Sequence, residues 1–111
     1  MKSEFAARMI RIHFGEDDRW QGHPLHEAIL AQCRALEIAE VIVFRGIEGY
    51  GSASRIRTDS PWRLSKDAPI QITVIDTPEK IARLLPQLDT LVEEGLVVSS
   101  EVQAIRFSRH P

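Results

Sequence analysis

The order in which apolar patterns follow one another most constrains the fold of this chain. Apolar and polar residues alternate over Ala6–Phe14, which predicts a half-buried strand, and over Ile70–Ile75, which predicts another. The continuous apolar and β-branched run Val41–Phe44 is typical of a strand buried on both faces. Leu96–Val98 and Val102–Phe107 predict a last, interrupted strand.

Two helices are expected between these strands. The first spans about Pro24–Glu37, with proline in the first turn, where its missing N–H is no loss. Thr77 and Pro78 predict the N-cap and first position of the second helix. Pro86 should kink that helix, and Gly95 is a candidate C-terminal cap. The predicted core stripes are Leu25, Ala28, Ile29, Cys33 and Leu36, then Ile81, Leu84, Leu85, Leu88, Leu91 and Val92.

The resulting order, β-α-β-β-α-β, predicts an α+β fold. Two interleaved right-handed β-α-β units give a ferredoxin-like sandwich, a four-stranded antiparallel sheet with two helices on one face. A chain of 111 residues fits a single domain, residues 1–111. No helix remains for the other sheet face, so we expect it to be an interface of a homo-oligomer. The residues predicted on that face are Met9, Ile42, Phe44, Thr73 and Ile75.

Composition excludes several classes of protein. The net charge of −2 argues against a nucleic-acid binder, and the open face offers Phe44 as its sole aromatic, which disfavours RNA recognition. No apolar run approaches the ~20 residues of a membrane span, so direct membrane insertion is not expected. Cys33 is the only cysteine, which excludes an internal disulfide. The first residues lack an apolar signal region, and we expect a cytoplasmic protein.

The connection between the second and third predicted strands is too long for a hairpin. It takes about 25 residues, where about 2–5 are usual, and such segments are commonly functional. Glycines let backbone N–H groups approach an anion, and guanidinium groups hold phosphate bidentately. The candidate ligand-binding residues here are Arg45, Gly46, Gly49, Gly51, Ser52, Ser54 and Arg55. A flexible solvated loop is the alternative, because the segment lacks the P-loop and G-x-G-x-x-G patterns.

A second candidate group follows the first strand. Asp18, Arg19 and Trp20 lie in an acidic loop where the indole could stack on an adenine. The alternative is structural: Asp18 and Arg19 pair with each other, and Trp20 covers the edge of the core.

A small metal-binding protein or enzyme is an alternative function. It would use His13, His26, Glu27 and the acids Glu16–Asp18, and His23 lies three residues before His26. Neither the zincin H-E-x-x-H pattern nor a G-x-S-x-G elbow is present, so we expect no metal site and no catalytic residues. A third hypothesis is a scaffold that binds only another protein through the long loop.

Several stretches resemble the PII-like family known as domain of unknown function 190. They are Gly15–Ile29 (GEDDRWQGHPLHEAI), Phe44–Gly51 (FRGIEGYG), Ser54–Ile56, Leu85–Asp89 and Glu94–Val97, and the resemblance covers about Arg8 to Phe107.

The resemblance implies a function in signalling. PII proteins are ferredoxin-like trimers that bind adenine nucleotides in clefts between subunits, and a T-loop between strands two and three touches the nucleotide and the target protein. Segment 46–68 occupies that position here. The implied ligand is AMP, ADP or ATP, and the implied partner is a membrane transporter or an enzyme. The PII phosphate loop has no counterpart in the acidic turn Val92–Leu96, and the tyrosine modified in some PII proteins does not map onto Tyr50.

Overall fold

A computed structural model describes residues 1–50, 56–58 and 67–109 of the chain, the middle range by its backbone alone. The elements in chain order are β1 (Lys2–Gly15), β2 (Arg19–Trp20), β3 (His23–Pro24), α1 (Leu25–Ala35), β4 (Glu40–Arg45), β5 (Glu48–Tyr50), β6 (Ile56–Thr58), β7 (Pro69–Asp76), α2 (Pro78–Leu91) and β8 (Leu96–Phe107).

The long strands form one four-stranded sheet in the order β4-β7-β1-β8. Every neighbouring pair is antiparallel. This is the predicted ferredoxin-like α+β fold, with β1 and β7 in the centre and β4 and β8 at the edges. The two-residue strands β2 and β3 pair with each other just before α1.

The hydrophobic core lies between the sheet and the two helices. The predicted alternation is confirmed over residues 10–14 of β1 and 70–74 of β7, where every second residue is buried on the helix side: Ile10, Ile12, Phe14, Ile70, Ile72 and Val74. The helices contribute buried residues at the spacing of one helical face: Leu25, Ile29, Cys33, Ile81, Leu84, Leu88 and Leu91.

Local sequence signals correctly placed the start of each helix. Pro24 immediately precedes α1, and the Thr77 side chain caps α2 by accepting a hydrogen bond from the Lys80 N–H at 3.4 Å. Helix α1 is shorter than predicted, because Glu37 adopts a left-handed φ of 55° and ends the turn. Helix α2 continues through Pro86, and the expected kink there stays a prediction.

The prediction that Val41–Phe44 is buried on both faces was wrong. These residues belong to β4, an edge strand whose second face has no helix above it. Val41 and Val43 pack against the core, whereas Ile42 is 45% exposed and Phe44 is 49% exposed. Apolar side chains therefore lie on both sides of β4, although the core covers only one side.

Three predictions around α2 and β8 also needed correction. Leu85 is exposed and does not belong to the core stripe. The helix ends at Leu91, and Val92 is extended with its N–H bonded to Leu88, so Gly95 is not its cap. The last strand is continuous from Leu96 to Phe107, because β1 pairs with it without interruption.

The first strand begins earlier than its apolar alternation indicated. Residues Lys2–Ala7 pair with Val102–Phe107 of β8 but have no partner in β7. This two-stranded extension explains why polar residues such as Lys2 and Glu4 can belong to a strand: no core packs against them. Among the described residues, no helix is long and apolar enough to cross a membrane.

Candidate functional site

A pocket lies at one end of the open sheet face. Its floor is a row of side chains from all four strands, placed side by side by the strand register. Phe44 in β4 pairs with Gln71 in β7, Gln71 pairs with His13 in β1, and His13 pairs with Leu96 in β8. In-register partners of antiparallel strands project to the same face, so these four residues share one surface. All four line the pocket.

The wall of the pocket comes from the start of the long segment 46–68. This segment is not wholly irregular as expected, because Glu48–Tyr50 pairs with Ile56–Thr58 in a short antiparallel ribbon. Gly46, Gly49 and Tyr50 line the pocket together with Pro69. The ribbon therefore rises directly from the edge of the sheet, beside the pocket floor.

Gly46 is needed where β4 passes into this wall. Its N–H donates to the Pro69 carbonyl at 2.7 Å, and a Cβ at Gly46 would lie 2.8 Å from Pro69 Cγ. Real Cβ contacts are not this short, so a larger residue would push the segment away from β7. Glycine therefore lets two backbones approach each other here, and the predicted approach of Gly46 to an anion stays a prediction.

The pocket has the size and chemistry of a small-molecule site. Its volume is about 750 Å³, within the ~300–1,000 Å³ of typical ligand pockets. Aromatic and aliphatic side chains dominate the lining, and the polar side chains among the described lining residues are His13 and Gln71. No lysine or arginine is among them, so the described part of the pocket is uncharged in character.

The two polar side chains differ in how they are satisfied. The Gln71 amide nitrogen donates to Thr73 Oγ1 at 3.3 Å on the same strand. His13 Nε2 is shielded from solvent, and within the described part of the chain no group hydrogen-bonds to it. A buried nitrogen without a hydrogen-bond partner is costly, and few such atoms occur in a folded protein.

The arginine that directly precedes the lining residue Gly46 in the sequence is already paired. Arg45 precedes Gly46, and its guanidinium donates to both Glu16 oxygens, from Nε at 2.8 Å and from Nη2 at 3.0 Å. This hydrogen-bonded contact holds the pKa of the Glu16 carboxyl below its ordinary value. The Glu16 N–H also donates to the Ala68 carbonyl at 2.8 Å, so the pair joins the ends of β1, β4 and β7.

The predicted ligand residues are therefore distributed over several places. Gly46 and Gly49 line the pocket, and Arg45 binds Glu16 beside it. Asp18, Arg19 and Trp20 are not among the lining residues. Gly51, Ser52, Ser54 and Arg55 lie outside the described residues, so their assignment to a ligand site stays a prediction.

Asp18 and Trp20 have structural contacts. The Asp18 carboxylate accepts a hydrogen bond from the Gly15 N–H at 3.2 Å, and its carbonyl accepts from the Leu25 N–H at 2.9 Å. The Trp20 indole packs against the hydrophobic core. These contacts favour the structural interpretation of Asp18 and Trp20, and Arg19 is exposed.

The metal hypothesis finds no cluster in the described part of the chain. No group of three or more His, Cys, Asp or Glu side chains is placed there to hold an ion. His13 lies on the sheet, whereas His26 lies in α1. The Nδ1 atom of His26 is also buried without a hydrogen-bond partner among the described residues. Cys33 is buried in the core, which raises the pKa of its thiol to about 11.

Sequence reasoning missed most of the pocket floor. Gln71, His13 and Leu96 come from three distant parts of the chain, and only strand register brings them together. The signal that could have found them is the alternation itself, since residues opposite the core positions must lie on the open face.

Comparison with known proteins places the chain in a family. The DUF190 family, described as an uncharacterized ACR, matches residues 7–104. The chain belongs to the DUF190 family. A UPF0166 protein of Aquifex aeolicus (strain VF5) is 30% identical over 98 residues, covering 88% of this chain and 92% of the relative.

The fold of this DUF190 protein is shared with PII-like proteins. It is similar to CPII of Thiomonas intermedia K12 bound to ADP and bicarbonate, with a TM-score of 0.67, 15% identity, and coverage of 92% of this chain and 91% of CPII. A second CPII structure, bound to ADP, AMP and bicarbonate, has a TM-score of 0.66, 15% identity and the same coverage of 92% and 91%. At this identity the likeness establishes the PII-like fold.

Proposed function

We propose that this protein is a PII-like signalling protein that binds an adenine nucleotide in the pocket at the foot of segment 46–68. The nucleotide would change the conformation of that segment and so alter the affinity for a regulated protein. Such a protein is a regulator and not an enzyme. A membrane transporter or an enzyme is the expected class of partner.

The position and lining of the pocket support this proposal most directly. The pocket lies between the open sheet face and the start of the β4–β7 connection, so a ligand there would touch Gly46, Gly49 and Tyr50 of the segment that would move. A protein of the same fold, CPII, has been solved with ADP and AMP. A ligand in the pocket would thus contact the same residues through which the segment would respond.

The open sheet face supports assembly into a homo-oligomer, which we propose to be a trimer. Outside the pocket, the open face of the sheet exposes Ile42 in β4 and Val98 in β8, and Met9 and Ile75 on the two central strands are half-buried. Apolar surface of this extent usually marks an interface. Association through it would place a second subunit beside the pocket and complete a cleft between subunits.

Titration with AMP, ADP and ATP tests nucleotide binding. Isothermal titration at more than about 50 µM protein should detect any dissociation constant below ~1 mM, which corresponds to about 4 kcal/mol of binding. Thermal unfolding provides a second readout, because ligand at 100 times its Kd stabilises the native state by about 2.7 kcal/mol. Absence of both heat and a thermal shift with all three nucleotides would contradict the proposal.

A loop deletion tests partner regulation separately. Full-length protein and a variant lacking Gly46–Lys66 are compared by affinity capture, each with and without nucleotide. The full chain should retain a partner in a nucleotide-dependent manner, and the deletion variant should lose it. Arg83→Ala, on the exposed face of α2, is the matched control and should behave as the full chain does. Retention of every partner by the deletion variant would refute a role for the segment.

A further inference from the structure

The pocket floor is suited to a flat ring. We propose that this site recognises its ligand mainly through a planar heteroaromatic ring, the base of the nucleotide, rather than through phosphate. The inference rests on the proposed function and specifies which part of the ligand supplies affinity. It follows from three separate observations. The pocket floor consists largely of planar side chains, Tyr50 is an exposed aromatic side chain that lines the pocket, and the described lining residues include neither lysine nor arginine.

The floor is formed largely by planar groups. Phe44, Gln71 and His13 carry a phenyl ring, a carboxamide and an imidazole, and they lie side by side on adjacent strands. Neighbouring strands are about 4.8 Å apart, so three in-register side chains make a platform about 10 Å wide. Such a platform buries one face of a ring, and aromatic groups stack on a base whatever its identity.

Tyr50 is placed to cover the opposite face of a ring on this floor. It lines the pocket, yet 80% of its surface is exposed. Phe44 on the floor is 49% exposed. Two aromatic side chains that line the same cavity and remain this exposed have unused apolar surface, and a ring between them would bury it.

The charges of the described lining residues favour a ring over a phosphate. The described lining residues include neither lysine nor arginine. Arg45, next to the lining residue Gly46, donates to Glu16 through two hydrogen bonds, so an anion would have to compete with a carboxylate already in place. Phosphate binding depends on such charge-assisted contacts. Gln71 instead offers a neutral amide, whose donor and acceptor groups suit the edge of a heterocyclic base.

Fragments of a nucleotide separate the two sources of affinity. Adenosine carries the base without phosphate, ribose 5-phosphate carries phosphate without the base, and AMP carries both. By isothermal titration, adenosine should bind within about 10-fold of AMP, whereas ribose 5-phosphate should bind at least about 100-fold more weakly. A loss of more than about 100-fold for adenosine, or binding of ribose 5-phosphate as tight as AMP, would overturn the inference and leave the proposed function intact. If none of AMP, ADP and ATP binds, both the inference and the proposed function are contradicted.

Two variants test the named side chains. Tyr50→Ala should weaken adenosine and AMP binding equally, by at least about fivefold, because stacking on the base is lost from both. Ile47→Ala is the matched control, since Ile47 is 79% exposed on the same segment and does not line the pocket. Gln71→Met preserves the length of the side chain without its polar edge and should weaken adenosine more than ribose 5-phosphate. Unchanged adenosine binding in both Tyr50→Ala and Gln71→Met would refute the assignment.

Discussion

Glu16 and Arg45 form an ion pair that joins three strands beside the pocket. Its two hydrogen bonds favour the ionised carboxyl, and the pKa of Glu16 is therefore lowered in the folded protein. A carboxyl whose pKa is lower in the folded state than in the unfolded state stabilises the folded protein at pH values above its unfolded-state pKa. That stabilisation is lost as the pH falls through the folded-state pKa. The ion pair should therefore add to the free energy of unfolding above about pH 4.5 and add nothing to it in strong acid.

Replacement of Glu16 tests this pH dependence. Glu16→Gln should lower the free energy of unfolding by about 0.5–1 kcal/mol at neutral pH, because both side chains are partly exposed. The difference from the unmodified protein should shrink below pH 4.5 and should be smaller at high salt. Urea denaturation at several pH values measures it, with Glu93→Gln on the exposed turn after α2 as control. A difference that grows on acidification would contradict this account.

Cys33 is the second residue whose chemistry is set by its surroundings. It is 1% exposed, and burial raises the pKa of the thiol to about 11. Because the thiolate is the reactive form, native protein at pH 8 should react with a chromogenic thiol reagent only when denaturant is present. Stoichiometric labelling at the same rate in native and unfolded protein would show that α1 opens readily or that the thiol is accessible.

Among the elements, β8 depends on a close approach at Gly95, the residue immediately before the strand. A Cβ at Gly95 would lie 2.6 Å from the His13 carbonyl oxygen, a backbone atom that cannot move without shifting β1. Gly95→Ala should therefore cost about 1–3 kcal/mol in unfolding free energy, as overpacking usually does.

Gly49→Ala is the matched control for this substitution. Its Cβ would meet Pro69 Cγ at 3.6 Å, an ordinary van der Waals contact. Chemical denaturation of both variants measures the contrast, and an equal loss of stability in the two would show that the contact at His13 does not decide the effect.

Elements with local signals were predicted well, and elements with tertiary causes were not. Thr77 and Pro78 start α2 through contacts within one turn, and the alternation in β7 reflects a core on one side of it. Pattern alone could not distinguish an apolar edge strand from a doubly buried one, so β4 was misassigned. The continuity of β8 through Ser99 and Ser100 follows from pairing with β1, which is a partner distant in sequence.

At the scale of the whole molecule, we expect the open sheet face to form the interface of a homo-oligomer. Val98 and Ile42 are each 45% exposed on the edge strands. Val98→Glu should dissociate the proposed oligomer, since burying a charge in an apolar interface is costly. Native mass spectrometry measures the subunit count. Leu85→Glu, at an exposed apolar residue on the helix side, should leave it unchanged. An oligomer that persists with Val98→Glu would place the interface elsewhere.

Two of the residues predicted to bind a ligand line the pocket, and their role in binding stays a prediction. The excess length of the β4–β7 connection indicated where a functional segment lies, and Gly46 and Gly49 do line the pocket. The alternation indicates which floor residues face the open side, but not that they are neighbours, because Gln71 and Leu96 lie beside His13 only through antiparallel pairing. Arg45 donates hydrogen bonds to Glu16 in this structure, and its role as a phosphate ligand stays a prediction.

The sequence by itself determined the order of the elements, the α+β class, the core residues of β1, β7 and the helices, and the place of the long segment. Each of these depends on contacts within a few residues or on which side of an element is apolar. The tertiary structure decided which apolar surface stays open, that β4 lies at an edge, and that a pocket forms where four strands align Phe44, Gln71, His13 and Leu96. Strand register brings residues far apart in sequence together, so local patterns do not contain it.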